Sequence, residues 1–171
     1  MRRCKSQLIL PALASMALLS ACGDNAETDA QSAAASIELP NGMTVKEQIE
    51  ARQGHLKKIG KAFKTISDQL KAGSPDLGAI QSAAALVPKE AEGMADWFPE
   101  GTGPDTGVKT EALPVIWENK SDFDDKVLAM QEAAAQLNTV AQGGDVTAIA
   151  AAFQTTGGKC KACHDKYRED D

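Results

Sequence analysis

The most specific chemistry in the chain lies near its C-terminus, in Cys160-Lys161-Ala162-Cys163-His164. Two thiols separated by two residues, with a histidine directly after the second, form the pattern that attaches a c-type haem. The thiols add across the porphyrin vinyl groups as thioethers, and the histidine reaches the iron as an axial ligand. Two other chemistries use a Cys-x-x-Cys pair. A zinc site needs two further ligands, and the only other histidine is His55. A thiol–disulfide site belongs where a helix opens after a strand, whereas this segment closes a helix-rich chain. The expectation is one covalent haem c per chain, held by Cys160 and Cys163, with His164 as the metal ligand. The thiol and zinc chemistries are the alternatives.

The N-terminal residues suit a protein that is exported. Arg2, Arg3 and Lys5 precede an apolar run from Leu8 to Leu19 that is too short to span a bilayer. Leu19-Ser20-Ala21-Cys22 then has the form of a bacterial lipobox, whose cysteine is lipidated and becomes the new N-terminus. An ordinary signal peptide cleaved nearby is the alternative. Residues 1–21 therefore read as a signal peptide, and residues 22–42, small, polar and acidic, as a flexible tether from Cys22. Cys4 leaves with the signal and Cys22 is the lipid site, so no cysteine remains for a disulfide. The expected location is the bacterial periplasm, anchored through the lipid to the inner or outer membrane.

Charge narrows the partners. The chain has 18 Lys and Arg against 24 Asp and Glu, a net charge of −6, and loss of Arg2, Arg3 and Lys5 takes the mature chain to −9. That balance argues against nucleic acid binding. No nucleophile–base pair and no acid–base carboxylate pair can be placed, so enzymatic turnover is not expected.

The motif must be positioned by residues 43–171, about 130 residues and enough for one core. They read as four helices. The first runs from about Thr44 to Lys71, opened by the capping box Thr44-Val45-Lys46-Glu47 and stopped by Gly73 and Pro75. Val45, Ile49, Leu56, Ile59, Phe63, Ile66 and Leu70 recur at bundle spacing. Arg52 interrupts the stripe, and a charge there needs a partner. The second helix opens at Ser74-Pro75 and should kink or break at Pro88, with Met94, Trp97 and Phe98 continuing the apolar surface. Residues 99–113 form a Gly-, Pro- and Thr-rich loop. Ser121-Asp122-Phe123-Asp124 caps the third helix, and Gly143-Gly144 ends it. Asp145 caps the fourth, where Ile149, Phe153, Thr156, Cys160, Cys163 and Tyr167 step by 4, 3, 4, 3 and 4. Both motif cysteines thus fall on the inward stripe. Only seven residues are aromatic, and small side chains on facing helices leave room for a large flat apolar group.

With Cys-x-x-Cys-His at the end of a four-helix domain, residues 44–169 resemble the class II cytochromes c, the cytochrome c' family. The resemblance is carried by residues 159–168, by Arg52-Gln53-Gly54-His55-Leu56, by Trp97-Phe98 and by Pro114-Val115-Ile116-Trp117. It implies an all-α fold, an antiparallel up-down-up-down four-helix bundle enclosing the haem. It also implies that Arg52 and Gln53 lie at the haem propionates, that Glu111 contacts the haem, that Arg168 stands beside the proximal ligand, and that Leu56 covers the distal face. An apolar residue there leaves five-coordinate, high-spin iron open to NO and CO, in proteins associated with protection against nitrosative stress. A methionine there gives a low-spin electron carrier. His55 is about 100° around the helix from Leu56, so a six-coordinate electron carrier with His55 as sixth ligand remains the alternative. The partners implied are small gas ligands and a second copy packed through the first two helices. Lys159, Lys161, Lys166 and Arg168 suggest docking of an acidic redox partner protein, or simply a helix end suited to its dipole.

Overall fold

The computed structural model describes residues 31–169. The signal peptide, Cys4, the lipobox Cys22, the first part of the tether and Asp170-Asp171 lie outside the described residues. Four long helices make the domain: α1 (Val45–Lys71), α2 (Leu77–Glu90), α3 (Lys120–Gly143) and α4 (Val146–Tyr167). Among the described residues there are only two isolated β-bridges, Glu38 with Thr44 and Ala112 with Arg168.

Local chemistry explains where each helix begins. The Thr44 hydroxyl accepts from the Glu47 N–H at 3.2 Å while the Glu47 carboxylate accepts from the Thr44 N–H at 2.8 Å, closing the expected capping box. Asp145 accepts from Thr147 N and Ala148 N to open α4. Two starts differ from expectation. α2 is capped by Asp76, which accepts from Ala79 N at 3.0 Å, so the helix begins beyond Ser74-Pro75. α3 begins at Lys120 with no side-chain cap. The Asp122 carboxylate accepts instead from the Tyr167 hydroxyl and from Lys166 of α4, and this use draws it away from its own helix end.

The endings follow the same logic. Pro88 falls in the last turn of α2, where it has no N–H to give the Ala84 carbonyl, and the helix ends two residues later, at Glu90. A left-handed Gly93 (φ +68°) then turns the chain into a 3-10 turn, Met94–Trp97. Gly144, at φ +76°, closes α3 and reverses the chain into α4.

α1 packs along α2, α2 along α3 and α3 along α4, whereas α1 and α4 barely touch. Consecutive helices joined by reversals therefore alternate in direction, and α1 and α4 are antiparallel. Ile66, Ile80, Ala84, Val87, Ala134, Leu137 and Ile149 form a fully buried core, each large aliphatic contributing about 1.5–3 kcal/mol over exposure. A smaller cluster joins Leu39, Val45 and Ile49 with Val108. Leu39 N donates to Met43 O and Val45 N to Ile37 O. Ordered packing therefore begins ahead of Met43, inside the segment expected to be tether, because Leu39 is apolar enough to fold back onto α1.

Candidate haem-binding site

The one aromatic contact between α1 and α4 is Phe63 with Phe153, ring centroids 4.8 Å apart. Gly157 lies at this contact, where a Cβ would meet Phe63 Cε1 at an ordinary 3.8 Å. Leu56 is seven residues before Phe63 and Cys160 seven residues after Phe153. Seven residues are about two turns, which returns each side chain to nearly the same face. On antiparallel helices both shifts run toward the same end of the bundle. Leu56 and Cys160 therefore lie on the facing sides of α1 and α4, toward the same end of the bundle. Leu56 is 38% exposed, and Cys160 and Cys163 are half-buried against the core.

The end of this interface is spanned by the 99–113 loop, pinned from both sides. From α1, Arg52 donates to the Thr102 hydroxyl at 2.9 Å, to the Thr102 carbonyl at 2.8 Å and to the Thr110 hydroxyl at 2.9 Å. Gln53 donates to the Lys109 carbonyl at 2.8 Å. From α4, Leu113 N donates to Tyr167 O, Glu169 N donates to Glu111 O, and Arg168 Nε meets the Glu111 carboxylate at 2.7 Å. The Glu111 and Arg168 side chains thus meet each other at the rim, just past His164. Thr102 and Thr110 had no signal of their own in the sequence beyond the threonine content of the loop.

Arg52 is 2% exposed, stacks over Phe98 at 4.7 Å and has no carboxylate partner among the described residues. Burial lowers its guanidinium to about 10, so it stays charged at neutral pH, with only neutral acceptors around it. An anionic group is the missing complement. Burial also pushes the Cys163 thiol up to about 11, with Cys160 adding to the shift, and raises Cys160. Protonated thiols of this kind are unlike the depressed thiols of disulfide exchange. No group of three His, Cys, Asp or Glu side chains among the described residues is arranged to hold a metal, which weighs against zinc. His164 is exposed, but the protein beneath it, and then Arg168, lower its imidazole below the usual value. It therefore keeps a free lone pair at neutral pH. Two thiols on one helical face, a neutral imidazole beside them, an apolar strip opposite and an uncompensated buried cation fit a haem with its propionates.

His55 is turned elsewhere. Its Nδ1 lies 2.8 Å from Glu90 Oε2 and its ring stacks on Trp97, centroids 4.8 Å apart and planes 21° apart. The basic cluster also changes character. Lys161 pairs with Asp165, Lys166 with Asp122 and Arg168 with Glu111, so most of the positive charge expected for docking is neutralised locally.

Residues 47–168 match the family described as Cytochrome C'. The chain belongs to the cytochrome c' family. It is 34% identical over 122 residues to cytochrome c-556 of Agrobacterium tumefaciens, covering 71% of this chain and 96% of that protein. The cytochrome c' of Thermochromatium tepidum superposes with a TM-score of 0.72 at 32% identity, covering 75% of this chain and 98% of that one. A variant of cytochrome c prime from Alcaligenes xylosoxidans, solved as its nitric oxide complex, superposes at 0.66 with 26% identity over 74% of this chain and 97% of its own. As a cytochrome c' the chain is a c-type haem protein with one covalent haem, of the kind that binds gases or transfers electrons, and the family is periplasmic in bacteria.

Proposed function

We propose that this cytochrome c' attaches its haem through Cys160 and Cys163, ligates the iron with His164, and leaves the opposite side to Leu56, which makes it a five-coordinate, gas-binding protein. What supports this is the helical register from the Phe63–Phe153 contact, which turns Leu56 toward the face of α4 that carries Cys160. When bound, the haem supplies an iron able to take one small diatomic ligand. Leu56 has no lone pair to occupy the sixth position and no N–H or O–H to hydrogen-bond a ligand there. Ligands that need no such bond, NO and CO, are therefore favoured over dioxygen. Arg52 and Gln53 stand ready for the propionates, with Arg52 already fixed by three hydrogen bonds. Arg168 and Glu111 fasten the loop beside the end of α4 and so hold the surroundings of His164 in place.

The protein acts by binding rather than by turnover. Electron exchange with a partner protein would use a surface close to neutral, not a basic one. A homodimer formed through α1 and α2 would have to accommodate charge, since Lys57, Lys61, Lys64 and Asp68 stand exposed on α1. Among the described residues no helix is long and apolar enough to cross a membrane, and membrane attachment rests on lipidation of Cys22. The decisive experiment adds CO to the reduced holoprotein. Saturable binding with a spectral change is expected, and a spectrum unmoved by CO would contradict an open sixth position.

A further inference from the structure

His55 is chemically the best iron ligand in the chain after His164, yet it sits one residue from Leu56 and is engaged with α2. Both restraints on it come from one short stretch. Glu90, the last residue of α2, holds Nδ1 at 2.8 Å, with its side chain only 12% exposed. The chain then turns at Gly93 and lays Trp97 flat against the imidazole. Lys58, one turn along α1, takes the same Glu90 oxygen at 3.1 Å, so the carboxylate is itself fixed.

The stretch of α1 carrying His55 and Leu56 is bounded by Gly54 and Gly60. A Cβ at either glycine would meet nothing within 4 Å, so packing does not require them there. Glycine inside a helix weakens it relative to alanine. This segment is the part of α1 with the least intrinsic resistance to a change of twist, and a twist of about 100° exchanges one residue for its neighbour.

We propose that Glu90 is a positioning residue that, together with Trp97, latches His55 against α2 and so decides that Leu56, not His55, faces the distal side of the haem. The proposal rests on the five-coordinate state inferred above. Glu90 touches neither the haem nor its ligand and acts through His55 alone. The His55 side chain is 41% exposed, so loss of its hydrogen bond to the Glu90 carboxylate is worth about tenfold in the population of the released state.

The test compares ferric and reduced absorption spectra of holoproteins, with far-UV circular dichroism and thermal midpoints to show that each is folded. Wild type is expected to be high-spin. Glu90→Ala should gain a low-spin component that disappears when His55→Leu is added. Glu90→Gln, whose amide oxygen can still accept from Nδ1–H, should stay close to wild type. Glu90→Ser serves as the same test if Glu90→Ala does not accumulate. A high-spin spectrum in both Glu90→Ala and Glu90→Ser would overturn the latch while leaving the five-coordinate state intact. So would a low-spin component that persists without His55. A low-spin wild type would instead overturn the five-coordinate state itself.

Discussion

Phe63 and Phe153 meet with ring planes tilted by 30°, and they join two helices that otherwise barely touch. Their contact sets the helical phase of everything beyond it. Leu56 on one helix and Cys160 on the other each follow from it by about two turns. A change of phase at this pair would move the distal residue and the attachment residues together.

The identity of residue 56 sets the ligation state. Leu56→Met places a thioether where the leucine offers no lone pair, at nearly equal volume. The reduced holoprotein should change from high-spin to low-spin, and its CO binding should weaken because the ligand now competes with sulfur. Absorption spectra and CO titration check both effects.

Arg52 should be costly to remove. Arg52→Ala deletes three hydrogen bonds to Thr102 and Thr110 and loosens the 99–113 loop, at a cost of about 2–4 kcal/mol. Arg52→Lys should recover only part, since one ammonium lacks the planar fork that reaches these acceptors at once. Denaturant midpoints of the holoproteins measure the loss.

Asp122 should make stability depend on acid. Hydrogen bonds from Tyr167 and then Lys166 hold its carboxyl below the ordinary 3.8. A carboxylate depressed on folding adds stability above its unfolded pKa, and that contribution is lost as pH falls through the folded value. Wild type should therefore lose stability progressively as pH falls below about 4, until Asp122 is protonated in the folded protein as well and the α3–α4 tie is lost. Asp122→Asn should be less stable than wild type at neutral pH, with the difference shrinking in acid. Urea midpoints at neutral and acid pH would show it, and a difference that stayed constant would count against this role.

Gly157 offers a gain. Its backbone is helical, and an added Cβ would make only an ordinary contact, 3.8 Å from Phe63. Gly157→Ala should stabilise the holoprotein by about 0.5–1 kcal/mol, read as a higher thermal midpoint with an unchanged spectrum.

The sequence exposed most of the bundle because its periodicities are strong. The capping box at Thr44, the cap at Asp145, the inward stripe of α4 and the stop at Gly144 are all local signals, and each is present. What was hidden depends on contacts far apart in sequence. Asp122 looked like a cap until the fold brought Tyr167 to it. Ser74 looked like a cap although Asp76 was two residues away and a better acceptor. The direction of His55 was unreadable because Glu90 and Trp97 reach it only through the turn after α2. The cations near the motif looked like a patch because Asp122 and Glu111, which neutralise two of them, are remote in the chain. The attachment motif itself was legible, since its spacing is imposed by the chemistry of the cofactor.

The most direct measurement is the absorption spectrum of the wild-type holoprotein, ferric and dithionite-reduced, made in a host that matures c-type haems. High-spin spectra in both states, from haem that stays with the polypeptide after denaturation, are expected from Leu56 opposite the cysteines. A sharp low-spin reduced spectrum would contradict the open iron and turn attention to His55, and haem that is not covalently bound would contradict the site at Cys160 and Cys163.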